Sequence, residues 1–276
     1  MNDEQLHAMR HSLAHITAAA VQRLWPEAKF GVGPVVDNGF YYDIDLGEIK
    51  ISEANFGKIE KEMRGIINYG DDFERFEMPI DQAIDWAKQN NQPYKEEPLN
   101  DLKRAGTTVA KDLDVSELGL ATDGEAAVEN VSFYKNGNFV DLCRGPHVHN
   151  TKDVGAFKLL RVAGAYWRGN EKNPQMQRLY GVAFATQEEL DQYLENLELA
   201  KQRDHRRLGE ELDLFTGSQL IGAGLPLFTP RGTILRDKLN ELAQSYRVNR
   251  GYQKVWIPHI AKLDTYKVSG HFEKFP

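Results

Sequence analysis

Residues 4–24 constrain the fold more than any other stretch. Leu6, Met9, Leu13, Ile16, Ala20 and Leu24 recur at spacings of three and four, which predicts one amphipathic helix. Asp3 offers a cap at its start, and Pro26 stops it just after Trp25. The back of this helix is not the Lys/Glu surface of a solvated helix. At about 100° per residue, His11 and His15 lie almost opposite the apolar stripe, flanked by Ala8, Ala18 and Ala19. Small side chains there suit a cleft wall that a ligand approaches closely. Two imidazoles four residues apart share a face, with Cβ atoms about 5–6 Å apart, a spacing that suits a shared metal or a shared water. The competing reading is a pair of exposed histidines, and for His-x3-His taken alone that is the commoner outcome.

Beyond Pro26 the pattern is mixed. FGVGPVVDNGFYYDIDL joins β-branched and aromatic runs around Asn38-Gly39, a hairpin signal. Residues 52–68 read as a second helix with Phe56, Ile59, Met63 and Ile66 on one side, FERFEMP as a strand, and 80–91 as a helix. Residues 92–130, with Pro93, Pro98, Gly106, Gly119 and Gly124, read as irregular connection with short elements. From Val131 the period changes to two: VSFYKNGNFVDLC is a hairpin around Asn136-Gly137, and short strands continue through Tyr180. Residues 186–211 read as one charged linker helix, GTILRDKLNELAQSYRVNRG as a helix and YQKVWIPHI as a strand. The expected class is α+β, with the first helix against mixed sheets. The last unit, about 65 residues with one helix and one clear strand, buries little surface for an independent domain, so the chain reads as part of something larger. Its apolar face, Leu235, Leu239, Leu242, Val255 and Ile257, lacks the rest of a sheet.

Charge and cysteine content narrow the function classes. Lys plus Arg number 34 against 41 Asp plus Glu, a net charge of −7, which argues against a generally basic nucleic-acid binder but not against a local basic stripe. No run of 18 apolar residues predicts a membrane span, and the acidic start is no secretory signal. A single cysteine rules out an internal disulfide and fits a reducing, cytoplasmic compartment.

That cysteine sits in Asp141-Leu-Cys143-Arg144-Gly-Pro-His147, where a strand delivers it to a Gly-Pro turn. Cys143 and His147 join His11 and His15, about 130 residues away, in a set that matches the ligand chemistry of zinc. Taken singly, Cys143 reads as a buried small hydrophobe and His147 as a loop histidine. Asp141 precedes Cys143 by two and shares its strand face, where it could orient a histidine. Lys95, in QPYKEEP, reads on composition alone as solvated, while Tyr41, Tyr42 and Asp43 beside the first hairpin read as packing residues. Arg161, Arg168 and Arg178, with Tyr166 and Trp167, mix charge and aromatic surface in a way that suits an RNA end. Lys201, Arg203, Arg206 and Arg207 form a basic patch that reads first as a solvated helix face.

MRHSLAH, FGVGPVVDNGFYYDIDL, FVDLCRGPHV, AGAYWRGN, MQRLYGVAF and KQRDHRRLGEELDLF, in that order, resemble the threonyl-tRNA synthetases across essentially the whole chain. The His-x3-His and Cys-x3-His pairs are shared more loosely with alanyl-tRNA synthetase editing domains and their free-standing relatives. Gly251, Tyr252, Val255 and Pro258 look like the first signature of class II synthetases, at the dimer interface. The resemblance implies an editing domain over 1–183, a linker helix over 184–211, and over 212–276 the opening of an incomplete class II antiparallel-sheet domain.

It also implies hydrolysis of seryl-tRNA(Thr) made in error. His11, His15, Lys95, Cys143 and His147 would then be the catalytic set, with Tyr42, Asp141 and Arg144 holding the ester and its terminal adenosine. For metal, the resemblance leaves two alternatives: zinc on His11, His15, Cys143 and His147, as in the alanyl relatives, or editing without metal, as in the threonyl family. ATP, magnesium, a catalytic-domain zinc and homodimerisation are implied only for a full-length enzyme that charges tRNA(Thr), because the second and third class II signatures lie beyond Pro276. Threonine activation is therefore not expected of this chain. The competing readings are a free-standing trans-editing hydrolase and a non-catalytic tRNA-binding module.

Overall fold

The computed structural model describes residues 1–105, 128–260 and 262–271. The chain divides into two compact units, Met1–Asn196 and Leu197–Pro276. Gly106, Gly119 and Gly124 lie outside the described residues.

In the first unit, helix α1 spans Asp3–Leu24. Its cap is Asn2 rather than Asp3: the Asn2 side chain accepts from the Gln5 amide while the Gln5 side chain reaches back to the Asn2 amide. From Ala8 to Val21 every residue but Arg10 is buried, so the alanine-rich back is as enclosed as the leucine stripe. One face packs on a five-stranded sheet of β1 (Lys29–Phe30), β2 (Val35–Val36), β3 (Gly39–Asp45), β7 (Ala156–Tyr166) and β8 (Gln175–Phe184), ordered β1-β3-β8-β7 with β2 on β3. Helix α2 (Glu53–Tyr69) lies against α1 and contributes Phe56, Ile59, Met63 and Ile66 to this core. The hairpin between β2 and β3 turns at Asp37-Asn38, with Asn38 at φ 60°, because Gly39 already pairs with Val36. Gly39 also permits close pairing with β8, since a Cβ there would collide with the Gly181 carbonyl.

A second core of the same unit is built on a sheet ordered β4 (Glu74–Pro79), β5 (Asn130–Asn136), β6 (Phe139–Leu142). Helix α3 (Ile80–Gln89) and helix α4 (Pro93–Ala105) cover it with Ala83, Ile84, Ala87, Leu99 and Leu102. α4 corrects the irregular reading of this stretch. Pro93 occupies the first helical position, where a missing amide costs nothing, and Pro98 is accommodated inside the helix. Every ladder among the described residues is antiparallel, not mixed.

The helix expected over 186–211 is two helices, α5 (Gln187–Gln202) and α6 (His205–Glu211). Asp204 breaks them, its side chain capping α6 through the Arg206 amide. In the second unit, β9 (Phe215–Thr216) pairs with β10 (Leu227–Phe228), followed by α7 (Pro230–Val248) and α8 (Leu263–Val268). Residues 252–260 form no strand, because no ladder partner exists for them among the described residues. Leu235, Leu239, Leu242, Val255 and Ile257 are all exposed, between 48% and 76%.

Candidate functional site

α1 carries His11 and His15 inward, and the end of β6 carries Asp141 and Cys143 to meet them. A turn through Gly145-Pro146, whose peptide bond is cis, then brings His147 back. One donor atom each of His11, His15, Cys143 and His147 lies within 4.8 Å of every other, so the two distant pairs form one cluster. Cys143 Sγ stands 3.3 Å from both His11 Nε2 and His147 Nε2, and accepts from the Gly145 amide at 3.2 Å. The exposed-histidine reading fails: His11 is 5% and His15 2% exposed. His147 is only partly covered, its ring stacked on Phe73 with centroids 4.7 Å apart and edged by Tyr134.

Beside the cluster lies a second group. The Lys95 amine donates to Asp141 Oδ1 at 2.6 Å, and the Tyr42 hydroxyl donates to Asp141 Oδ2. Lys95 Nζ is also 3.4 Å from the Tyr42 oxygen. His15 Nε2 approaches the same carboxylate at 3.8 Å, so Asp141 links the two groups. The solvated reading of Lys95 is overturned, because the first turn of α4 buries it to 3% exposure. Gln92 helps set that turn by bridging the Ala28 carbonyl and the Phe30 amide, while its own carbonyl accepts from Lys95 N. Gly33 lies against the Tyr42 ring, which a Cβ there would strike. Arg144 stands partly exposed beside the cluster, and its guanidinium makes no ion pair or side-chain hydrogen bond among the described residues.

Burial sets the protonation states. It lowers His11 to about 4, with nearby His7 adding to the effect, and holds His15 and His147 well below the ordinary imidazole value. Burial pushes the Cys143 thiol up to about 12, and burial together with Asp141 raises Tyr42 well above the phenol value. At neutral pH the cluster therefore holds three neutral imidazoles and a thiol.

The donor set fits zinc in type, and the two 3.3 Å separations from Cys143 Sγ match ligands at about 2.0–2.3 Å in a tetrahedron, which stand about 3.3–3.8 Å apart, while the set as a whole is held only to within 4.8 Å. Its surroundings fit less completely. Metal-bound imidazoles ordinarily make a second hydrogen bond through the other nitrogen. Here His147 has one, to Ser12 Oγ, whereas the buried Nδ1 atoms of His11 and His15 have no hydrogen-bond partner among the described residues.

The arginines read as an RNA surface each have a neighbour within the first unit. Arg178 holds Asp43 through two bonds of 2.7 and 2.8 Å and lies over Tyr41, and Arg168 pairs with Glu97 and Asp101. Arg161 stacks on Tyr180. Lys201, Arg206 and Arg207 each pair with a nearby carboxylate. Ser12 is the residue the sequence reading passes over, although it sits inside His11-Ser-Leu-Ala-His15 and any polar residue there lies on a helix that buries all its faces.

Residues 131–180 match the threonyl and alanyl tRNA synthetase second additional domain, and so include β5 from Val131 on, β6, Cys143, His147 and all of β7. The segment that carries Cys143 and His147 is thus similar to a domain of the threonyl and alanyl tRNA synthetases. The threonine–tRNA ligase of Dehalococcoides mccartyi is 47% identical over 267 residues, which cover 97% of this chain and 41% of that protein. Those of Gloeobacter violaceus (44% over 274 residues; 99% and 40%) and Acetivibrio thermocellus (43% over 268; 97% and 38%) are similar in the same way. Over 97–99% of its own length the chain is thus similar to threonine–tRNA ligases, and it spans about 40% of the length of these relatives.

Proposed function

We propose that residues 1–183 hydrolyse seryl-tRNA(Thr), removing serine attached in error, within an enzyme that charges tRNA(Thr) with threonine. The observation that supports this reading is the meeting of His11, His15, Cys143 and His147 beside the Lys95–Asp141–Tyr42 group. A second sieve has a physical reason. The methyl that separates threonine from serine is worth only ~1–3 kcal/mol in one binding step.

The reaction is water attack on the ester carbonyl. A neutral imidazole of the cluster takes the water proton, the Lys95 amine donates to the developing oxyanion, and the ribose oxygen leaves with a proton. The products are serine and free tRNA(Thr). Asp141 and Tyr42 hold Lys95 in place and offer polar contacts to the serine hydroxyl and amine, while Arg144 at the rim suits the terminal nucleotide. Zinc, if the full enzyme carries it here, would be held by His11, His15, Cys143 and His147, and only with three of the four as ligands would it have an open position from which to act as a Lewis acid. The proton steps above need only protein groups.

In the longer enzyme, residues 184–211 act as a linker and 212–276 open a class II catalytic domain. There Gly251, Tyr252, Val255 and Pro258 serve dimerisation, and ATP, magnesium and a second zinc belong to threonine activation. The setting is cytoplasmic, and no helix among the described residues is long and apolar enough to cross a membrane. The test is deacylation of seryl-tRNA(Thr) and threonyl-tRNA(Thr), each with and without chelator. The expected result is fast loss of serine, slow loss of threonine and no effect of chelation. Equal rates with and without protein would overturn the reading.

A further inference from the structure

We infer that Ser12 is a positioning residue that fixes the tautomer of His147, with the proton on Nδ1 and the Nε2 lone pair turned toward Cys143. Ser12 is fully enclosed on α1 between the two histidines. Its Oγ makes three short contacts: the Val148 amide at 3.0 Å, the Ala8 carbonyl at 2.8 Å and His147 Nδ1 at 3.0 Å. A hydroxyl has one proton to give and two lone pairs to receive. The Val148 amide can only donate, and the Ala8 carbonyl can only accept. The one hydroxyl proton therefore goes to Ala8, and the second lone pair of Oγ is filled by a proton from His147 Nδ1. With the proton turned toward Nδ1 instead, two oxygens would face each other at 2.8 Å with nothing between them.

The consequence runs on to the cysteine. Sγ lies 3.3 Å from both Nε2 atoms, and its thiol has one proton. With His147 Nε2 bare, the thiol proton points to it, and His11 Nε2–H donates to Sγ. The bonds then all run one way: His11 to Cys143, Cys143 to His147, His147 to Ser12, and Ser12 to the backbone of α1. A single hydroxyl inside the histidine pair thus decides which nitrogen of a third histidine is free to act as a base. The bearing of this on hydrolysis rests on the deacylase reading; the tautomer itself does not.

The experiment is long-range ¹H–¹⁵N NMR of the intact chain labelled at histidine, prepared with chelator, together with deacylation kinetics. In the wild type, His147 should carry its proton on Nδ1. In Ser12→Ala the Nε2–H form should gain a measurable population, and kcat for seryl-tRNA(Thr) should fall about 10–100-fold with KM unchanged. Ser12→Thr, which keeps the hydroxyl, should keep the wild-type tautomer. A wild-type His147 protonated on Nε2 overturns the inference, whether or not Ser12→Ala folds. A tautomer that stays the same in Ser12→Ala overturns it too. The expected tautomers in a chain that leaves seryl-tRNA(Thr) intact would support the inference about Ser12 and overturn only the deacylase reading.

Discussion

The two units treat apolar surface in opposite ways. In Met1–Asn196, every residue of α1 from His11 to Val21 is buried, and Leu13 and Ile16 are 0% exposed. In Leu197–Pro276, α7 is nearly as long, yet Ile234, Leu235, Leu239 and Leu242 on it are between 48% and 64% exposed. Both helices carry apolar residues at helical spacing; among the described residues, only the first has elements packed over them. Periodicity therefore reports a face that wants a partner, not that the partner is present. The contrast also explains where chemistry can be built. A buried ionic group needs low-mobility walls on several sides, and only the first unit supplies them.

The severest challenge to this contrast is a substitution in the group those walls enclose. Lys95→Met keeps length and removes charge, leaving Asp141 buried without its cationic partner. The expected cost is about 3–5 kcal/mol of first-unit stability, read by urea unfolding. Deacylation of seryl-tRNA(Thr) should fall by about 10²–10⁴. A folded variant with full activity would remove Lys95 from the site.

Core truncation compares the two helices directly. Leu13→Ala should cost about 2–5 kcal/mol, as for a large-to-small change in a packed interior. Leu239→Ala should stay within about 0.5 kcal/mol, as for a surface change. Both are read from unfolding midpoints of the same chain. Equal losses would mean that the α7 face is covered in solution.

Acid should act on the first unit. Folded His11 has its pKa lowered from 6.5 to about 4, and His15 and His147 shift in the same direction. Between those values the unfolded chain binds more protons than the folded one, so stability rises with pH across this window. The contribution is complete above pH 6.5 and is lost as pH falls toward about 4. Unfolding midpoints of the first unit should therefore drop steadily over that range, and His11→Asn should flatten the slope. The described histidines of the second unit, His205, His259 and His271, are exposed. A pH-independent midpoint in the first unit would contradict the burial of its imidazoles.

Much of this fold is legible from residue spacing. The α1 stripe, α2, α3 and α7 follow from period, and both hairpins from turn chemistry, each turning one residue away from the pair read for it: at Asp37-Asn38, and at Gly137-Asn138 because Asn136 pairs with Phe139. The two halves of the His–Cys cluster can be picked out by residue type. What spacing cannot supply is depth. Lys95 looks solvated because two prolines hide α4, and without α4 nothing indicates that a lysine is enclosed by Tyr42 and Asp141. The break at Asp204 is hidden in the opposite way, because an acidic residue in a charged run reads as helix surface until its side chain is seen capping α6. Residues 252–260 fail as a strand because β-propensity describes a surface that fits a neighbour, and no neighbour is present among the described residues. Sequence shows the charge of Arg161, Arg168 and Arg178 but not their neighbours, which are Tyr180 on the adjacent strand for Arg161, Asp43 and Tyr41 on the adjacent strand for Arg178, and two carboxylates of α4 for Arg168.

The smallest expected effect lies on α6. Arg207 and Glu211 are four residues apart and pair at 2.7 Å, but both side chains are more than half exposed. Two long side chains must be held still for an attraction that water and salt largely screen, so the pair contributes little. Arg207→Ala should leave the melting temperature unchanged within error, at low salt as well as high. The same substitution tests the basic patch. A solvated helix face leaves the salt dependence of tRNA(Thr) binding as it was, whereas a phosphate contact would lower the slope of log affinity against log salt by about one unit. A lowered slope with an unchanged melting temperature would assign Arg207 to the tRNA and place a nucleic-acid contact in the second unit.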